Sequence, residues 1–224
     1  MRRVYLLLIF LFHFQAVTYA QSWLEEHQHA YYSYQSGNYL QALETARQNL
    51  YIIQKEEGVE SEAYAQELRL LSLVSYSLGS YEKARAYASQ EVRLRERISE
   101  VHDQAFSRAL HNLSLIQLKL GQYPQAIQGL KTALSVPDLI LKDEETLRYR
   151  LLMVKAYVLS DSTQQAKSLL KNAQSDAKRL KSNHFLLALS YFLNYQLAEH
   201  HNQNEQLNRL SNIRTTLQHD DVAT

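Results

Sequence analysis

Leu68, Leu71, Val74 and Leu78 follow one another at steps of three and four residues, and Leu110, Leu113, Ile116 and Leu120 repeat the spacing further along. That spacing gathers apolar side chains on one face of a helix. A second, smaller-sided stripe follows: Ala42, Ala46 and Leu50, then Ala84, Ala88 and Val92, then Ala126, Leu130, Ala133 and Leu134. Paired helices are predicted, each pair closed by a tight turn. The turns share Gly-x-Tyr-x-x-Ala, in Gly37, Tyr39 and Ala42, in Gly79, Tyr81 and Ala84, and in Gly121, Tyr123 and Ala126, each set 42 residues after the last. Glycine suits the positive φ at which helices commonly end. The alanine lets the paired helix approach, where a larger side chain would overpack the contact by about 1–3 kcal/mol. Pro124 falls in a first helical turn, where its missing N–H costs nothing.

The pattern then loosens. Ala166 comes 40 residues after Ala126, and Asp161, Ser162 and Thr163 stand where Gly-x-Tyr is expected. The stripes persist in Leu147, Leu151, Val154 and Val158 and in Ala166, Leu169, Leu170, Ala173 and Ala177. A fifth pair is expected from Phe185 to Leu197 and from Leu207 through Leu210 to Leu217. Its last helix is polar around a thin apolar stripe, as a repeat array's end cap should be. The predicted units are 23–57, 61–101, 104–136, 144–181 and 183–218, with 219–224 as a frayed tail.

On these residues the chain resembles the tetratricopeptide repeat (TPR) family, with Leu110 through Leu134 as its best-matching unit. The usual family repeat is about 34 residues, and the 42-residue spacing is similar to the long-helix variant of kinesin light chain and related bacterial repeats. The resemblance implies an all-α, right-handed superhelical solenoid of about four to five antiparallel helix pairs. It also implies a groove lined by the first helix of each pair. In the family's register the inward positions include His27, Tyr31 and Tyr34, then Arg69, Leu73 and Tyr76, then Arg108, His111, Asn112, Leu115 and Lys119. Some members hold a partner's terminal carboxylates with Lys and Asn. Arg69 and Asn112 fall on two such positions, and Leu73 falls where the clamp needs Asn. Tyr31, Tyr34, Arg69, Tyr76, Arg108, His111, Asn112 and Lys119 are therefore the candidate peptide-binding residues. Tyrosine offers contact area with a polar tip, and arginine offers directed hydrogen bonds.

Ahead of the repeats, Met1-Arg2-Arg3 precedes an apolar run from Val4 to Phe14 and then Thr18-Tyr19-Ala20, the layout of a secretory signal cleaved after Ala20, with an uncleaved signal anchor as the alternative. The run is short of the roughly 20 residues a membrane span wants. Cleavage would take two arginines and move the formal charge from +1 to −1, which gives no long-range pull toward nucleic acid or anionic lipid. With no cysteine there is no disulfide framework and no lipid-bearing cysteine. The expected product is periplasmic or secreted, without a stable membrane anchor.

No catalytic residues, cofactor or metal are predicted. Four of the five glycines serve turns and a helix end and Gly129 stands alone inside a helix, so none forms a phosphate loop, and there is no Gly-x-Ser-x-Gly elbow. His27 and His29 are two apart, which places them on different helix faces, and the His200-His201 pair is no better spaced for a metal. Lys167, Lys171, Lys178, Arg179 and Lys181 lack interleaved aromatics and read as a solvated face. The expected function is an exported scaffold that binds a protein or peptide along its groove. The alternatives are a structural part of a cell-envelope assembly that uses its convex face or ends, and a hydrolase or metal-dependent enzyme on a helical scaffold.

Overall fold

The structure, a computed structural model, describes residues 23–99, 103–136 and 143–180, and beyond them the helical residues 189, 192–193, 196–199 and 202–203. The signal segment and its cleavage point, the histidine pair at 200–201 and the final helix and tail fall outside the described residues. The helices up to residue 180 follow in order: α1 (23–35), α2 (Tyr39–Glu56), α3 (Glu62–Ser77), α4 (Tyr81–Ile98), α5 (Gln104–Lys119), α6 (Tyr123–Leu134), α7 (Asp143–Leu159) and α8 (Thr163–Leu180). Among the described residues there is no strand, and no helix is long and apolar enough to cross a membrane.

Each helix starts and stops for a local reason. Ser61 Oγ accepts the Tyr64 N–H at the head of α3, and Asp103 Oδ1 accepts the Phe106 N–H at the head of α5. These caps satisfy donors that a helix start leaves open. The hairpin turns use backbone instead. Ser80 N–H reaches Ser75 O at 2.9 Å and Gly79 N–H reaches Tyr76 O at 3.0 Å, with Gly79 at φ +73°. That is a Schellman closure, which ties off the last carbonyls of α3 and turns the chain into α4. The fourth hairpin makes the same closure without glycine. Ser162 N–H bonds Tyr157 O at 2.9 Å and Asp161 N–H bonds Val158 O at 3.3 Å, with Asp161 itself at φ +59°. Aspartate tolerates this left-handed conformation better than most side chains, so the turn survives the loss of its signature residue.

The helices belong to two compact units that divide at Leu120 and Gly121. In the first, Ala30 of α1, Ala42 and Ala46 of α2, and Leu70, Leu71 and Val74 of α3 form one buried cluster. Ala84 and Ala88 of α4 close on Ile116 of α5 in another, and Leu68 meets Leu94 in a third. Each wholly buried Leu, Ile or Phe contributes about 1.5–3 kcal/mol. The signature tyrosines pack across the turns: Tyr39 lies 5.9 Å from Tyr34 and Tyr81 lies 5.3 Å from Tyr76, centroid to centroid. In the second unit, Leu147, Leu151, Val154 and Val158 of α7 pack with Ala166, Leu170, Ala173 and Ala177 of α8 and with Leu193 and Leu197.

Candidate ligand-binding cleft

Within the first unit, α1, α3 and α5 wall a cleft of about 360 Å³. From α1 come His27 and Tyr31, from α3 Glu62, Gln66, Arg69, Leu70 and Leu73, and from α5 Ala105 and Arg108, with Arg95 of α4 completing the wall. The repeat explains much of this convergence. His27, Arg69 and His111 occupy one position of the 42-residue period, and Gln66 and Arg108 occupy another. Gln66, Arg69 and Leu73 are three and four residues apart and so share a face of α3.

Buried polar groups hold the walls. His27 stacks near-parallel to Tyr31, with centroids 6.4 Å apart, and its Nδ1 is 2.6 Å from Glu67 Oε2. With the wholly buried Glu67 carboxylate as acceptor, the ring donates through Nδ1. Asn49 of α2 donates to that same oxygen at 3.1 Å and to the Trp23 carbonyl at 3.0 Å. Glu67 thus ties α1, α2 and α3 together.

A second network lies on α4. Arg95 Nε donates to Glu91 Oε1 at 2.9 Å, and Arg95 Nη1 donates to both Glu62 oxygens at 3.1 and 3.0 Å. Burial pushes the Glu91 carboxyl above its usual range, and the charge and hydrogen bond of Arg95, together with the more distant Arg69, offset this only in part. For Arg95, burial pulls the pKa down, but Glu91 and Glu62 outweigh it and the pKa ends raised.

Of the residues expected in the groove, Tyr31, Arg69 and Arg108 come together in the cleft wall. Tyr34, Tyr76, His111, Asn112 and Lys119 are not part of that wall. Tyr34 and Tyr76 are half-buried ring partners of the signature tyrosines; burial first and Tyr81 second raise the Tyr76 pKa. Asn112 has another task. It is 6% exposed and donates to Ser72 Oγ at 3.0 Å, bonding α5 to α3. His111 is half-buried and Lys119 is exposed near the end of α5. The sequence reading missed Glu62, Gln66 and Arg95. A signal for Arg95 existed: Ala84, Ala88, Glu91 and Arg95 step by four, three and four along the buried face of α4, so the charges at its end had to pair.

Outside the cleft, Lys167, Lys171, Lys178 and Arg179 are exposed on α8, with Arg179 3.7 Å from Asp176 and Asp176 also bonded to Arg150. Among the described residues no group of three His, Cys, Asp or Glu side chains could hold a metal ion.

These paired helices, closed by backbone turns at a 42-residue period, define an all-α helical-repeat protein, and solved structures specify which kind. The TPR-like repeats of a Podosopora anserina kinesin light chain superpose with a TM-score of 0.65 at 22% identity, over 84% of this chain and 93% of that one. Aspartyl phosphate phosphatase F from Bacillus subtilis gives 0.70 at 15% identity, over 90% of this chain and 51% of its own. A Rap protein complexed with Competence and Sporulation Factor gives 0.59 at 16% identity, over 84% and 62%. The chain thus spans about half to two thirds of the two latter proteins. Its fold is TPR-like. No protein-family model and no curated protein matches the sequence.

Proposed function

We propose that this chain is an exported TPR-like scaffold that binds a segment of another protein in the cleft walled by α1, α3 and α5, without a chemical step. The observation that carries this reading is the convergence of Tyr31, Arg69 and Arg108, from three successive first helices, on one cleft of about 360 Å³. Aromatic surface beside guanidinium donors suits a polypeptide, which offers apolar side chains and carbonyl or carboxylate acceptors together. That a TPR-like fold accommodates such a ligand is supported by the Rap protein, whose structure holds Competence and Sporulation Factor. Export rests on the charged start, apolar run and small-residue cleavage pattern of residues 1–20.

The test is a photo-reactive residue placed at Gln66 in the cleft and, in a second protein, at the exposed Tyr51 of α2. Cross-linking of a partner from position 66, abolished by combined substitution of Tyr31, Arg69 and Arg108, is the expected result. Cross-linking from position 51 alone would transfer the chain to the envelope-assembly reading. For export, residues 1–24 fused to a reporter that is active only outside the cytoplasm should give signal, and an inactive fusion would remove that half of the proposal.

A further inference from the structure

Among the described residues that wall the cleft, Glu62 is the sole carboxylate, set against Arg69, Arg95 and Arg108. Its partner and it are unequal. Arg95 is 5% exposed and anchored through Nε to the wholly buried Glu91. Glu62 is 56% exposed, in the first turn of α3, and reaches Arg95 through a single nitrogen that serves both its oxygens. A fixed cation therefore faces a carboxylate that can return to water at little cost. A second cavity, about 320 Å³, adjoins the same ion pair on Glu62 and Arg95, which leaves room for the carboxylate to withdraw. Two helical turns along α3, Arg69 lines the same cleft. Among the described residues no carboxylate pairs with it, and its charge acts at a distance on Glu91.

We infer that Arg69 and Arg95 form an anion subsite within the cleft, that Glu62 occupies it in the free chain as a built-in competitor, and that the ligand's acidic side chain displaces Glu62. This rests on the cleft being the binding surface. It adds that affinity is set by exchange of one carboxylate for another, so removing the internal one should help binding and removing the cation should harm it.

The experiment measures fluorescence anisotropy of a labelled, N-acetylated and C-amidated peptide of alternating Gly and Glu with the full chain, against its Gly and Gln counterpart. The Glu peptide should bind and the Gln peptide should not. Glu62→Gln should tighten the Glu peptide by about five-fold and Arg69→Gln should weaken it by about ten-fold, with unchanged helical melting curves. Equal binding of both peptides, or a Glu62→Gln protein that binds no tighter, would overturn the subsite. Binding of free glutarate or inorganic phosphate without binding of the Glu peptide would overturn the assignment to a peptide side chain. Partner cross-linking from position 66 that persists when the two peptides bind alike sinks the subsite alone, whereas its absence sinks the cleft reading as well.

Discussion

The two compact units are built from the same kind of helix pair but bury different chemistry. Every buried Ser, Asn, Glu or Arg side chain among the described residues, from Ser33 to Ser114, lies in the first unit, Glu67, Glu91 and Arg95 among them. In the second, α7 and α8 pack Leu, Val and Ala with Leu193 and Leu197, and α7 also buries Met153 and Tyr149. An apolar core stabilises without specifying direction. A buried carboxylate costs free energy unless its partners are in place, and here those partners frame the cleft. The unit that carries the candidate site is the one that holds costly groups.

The comparison can be broken in graded steps. The largest effect belongs to the apolar unit: Leu151→Ala, at 1% exposure, should cost about 3 kcal/mol in chemical denaturation. Next comes Glu67→Ala, which leaves the Asn49 amide and His27 without their shared acceptor and should cost about 2 kcal/mol. Glu67→Gln should recover part of it.

A pH series on Glu91→Gln sharpens the contrast. Because the folded pKa of Glu91 is raised above the usual 4.5, the fold holds its proton more tightly than the unfolded chain does. The stabilisation is fully present below the unfolded value and is lost as pH rises through the folded one. Wild type should therefore lose stability relative to the Gln variant as pH rises from the usual 4.5 through the raised folded value, and a flat difference would contradict it. The smallest effect is at the turns. Asp161→Gly should raise stability by about 0.5–1 kcal/mol and Gly79→Ala should lower it by about 1 kcal/mol, since both positions sit at positive φ.

Much of the fold was legible because it rests on periodicity. The stripes through Leu68 and Leu110, the three glycine turns and the alanines at 42, 84 and 126 each state a local rule, and local rules need no knowledge of distant residues. The cleft was legible only in part. Tyr31, Arg69 and Arg108 follow from the family register, whereas Arg95 comes from a second helix and enters the wall because Glu91 and Glu62 hold it there. Tyr34, Tyr76 and Asn112 sit on inward-reading positions, yet ring packing and the Ser72 bond claim them. A register states which face a side chain leaves from, and the neighbour that captures it is set by the pairing of helices far apart in sequence.

The bond from Asn49 to Glu67 has a further consequence for how this chain can change. The first three turns, and the caps at Ser61 and Asp103, recur every 42 residues, so a whole block could be excised with the remaining turns intact. Position 49 is Asn, position 91 is Glu and position 133 is Ala, while 67 is Glu and 109 is Ala. Removing residues 61–102 would bring Asn49 beside Ala109, with no carboxylate to receive its amide. The repeats share a shape, but the first carries in Asn49 an address that only its present neighbour can read, which fixes the order of those two along the chain.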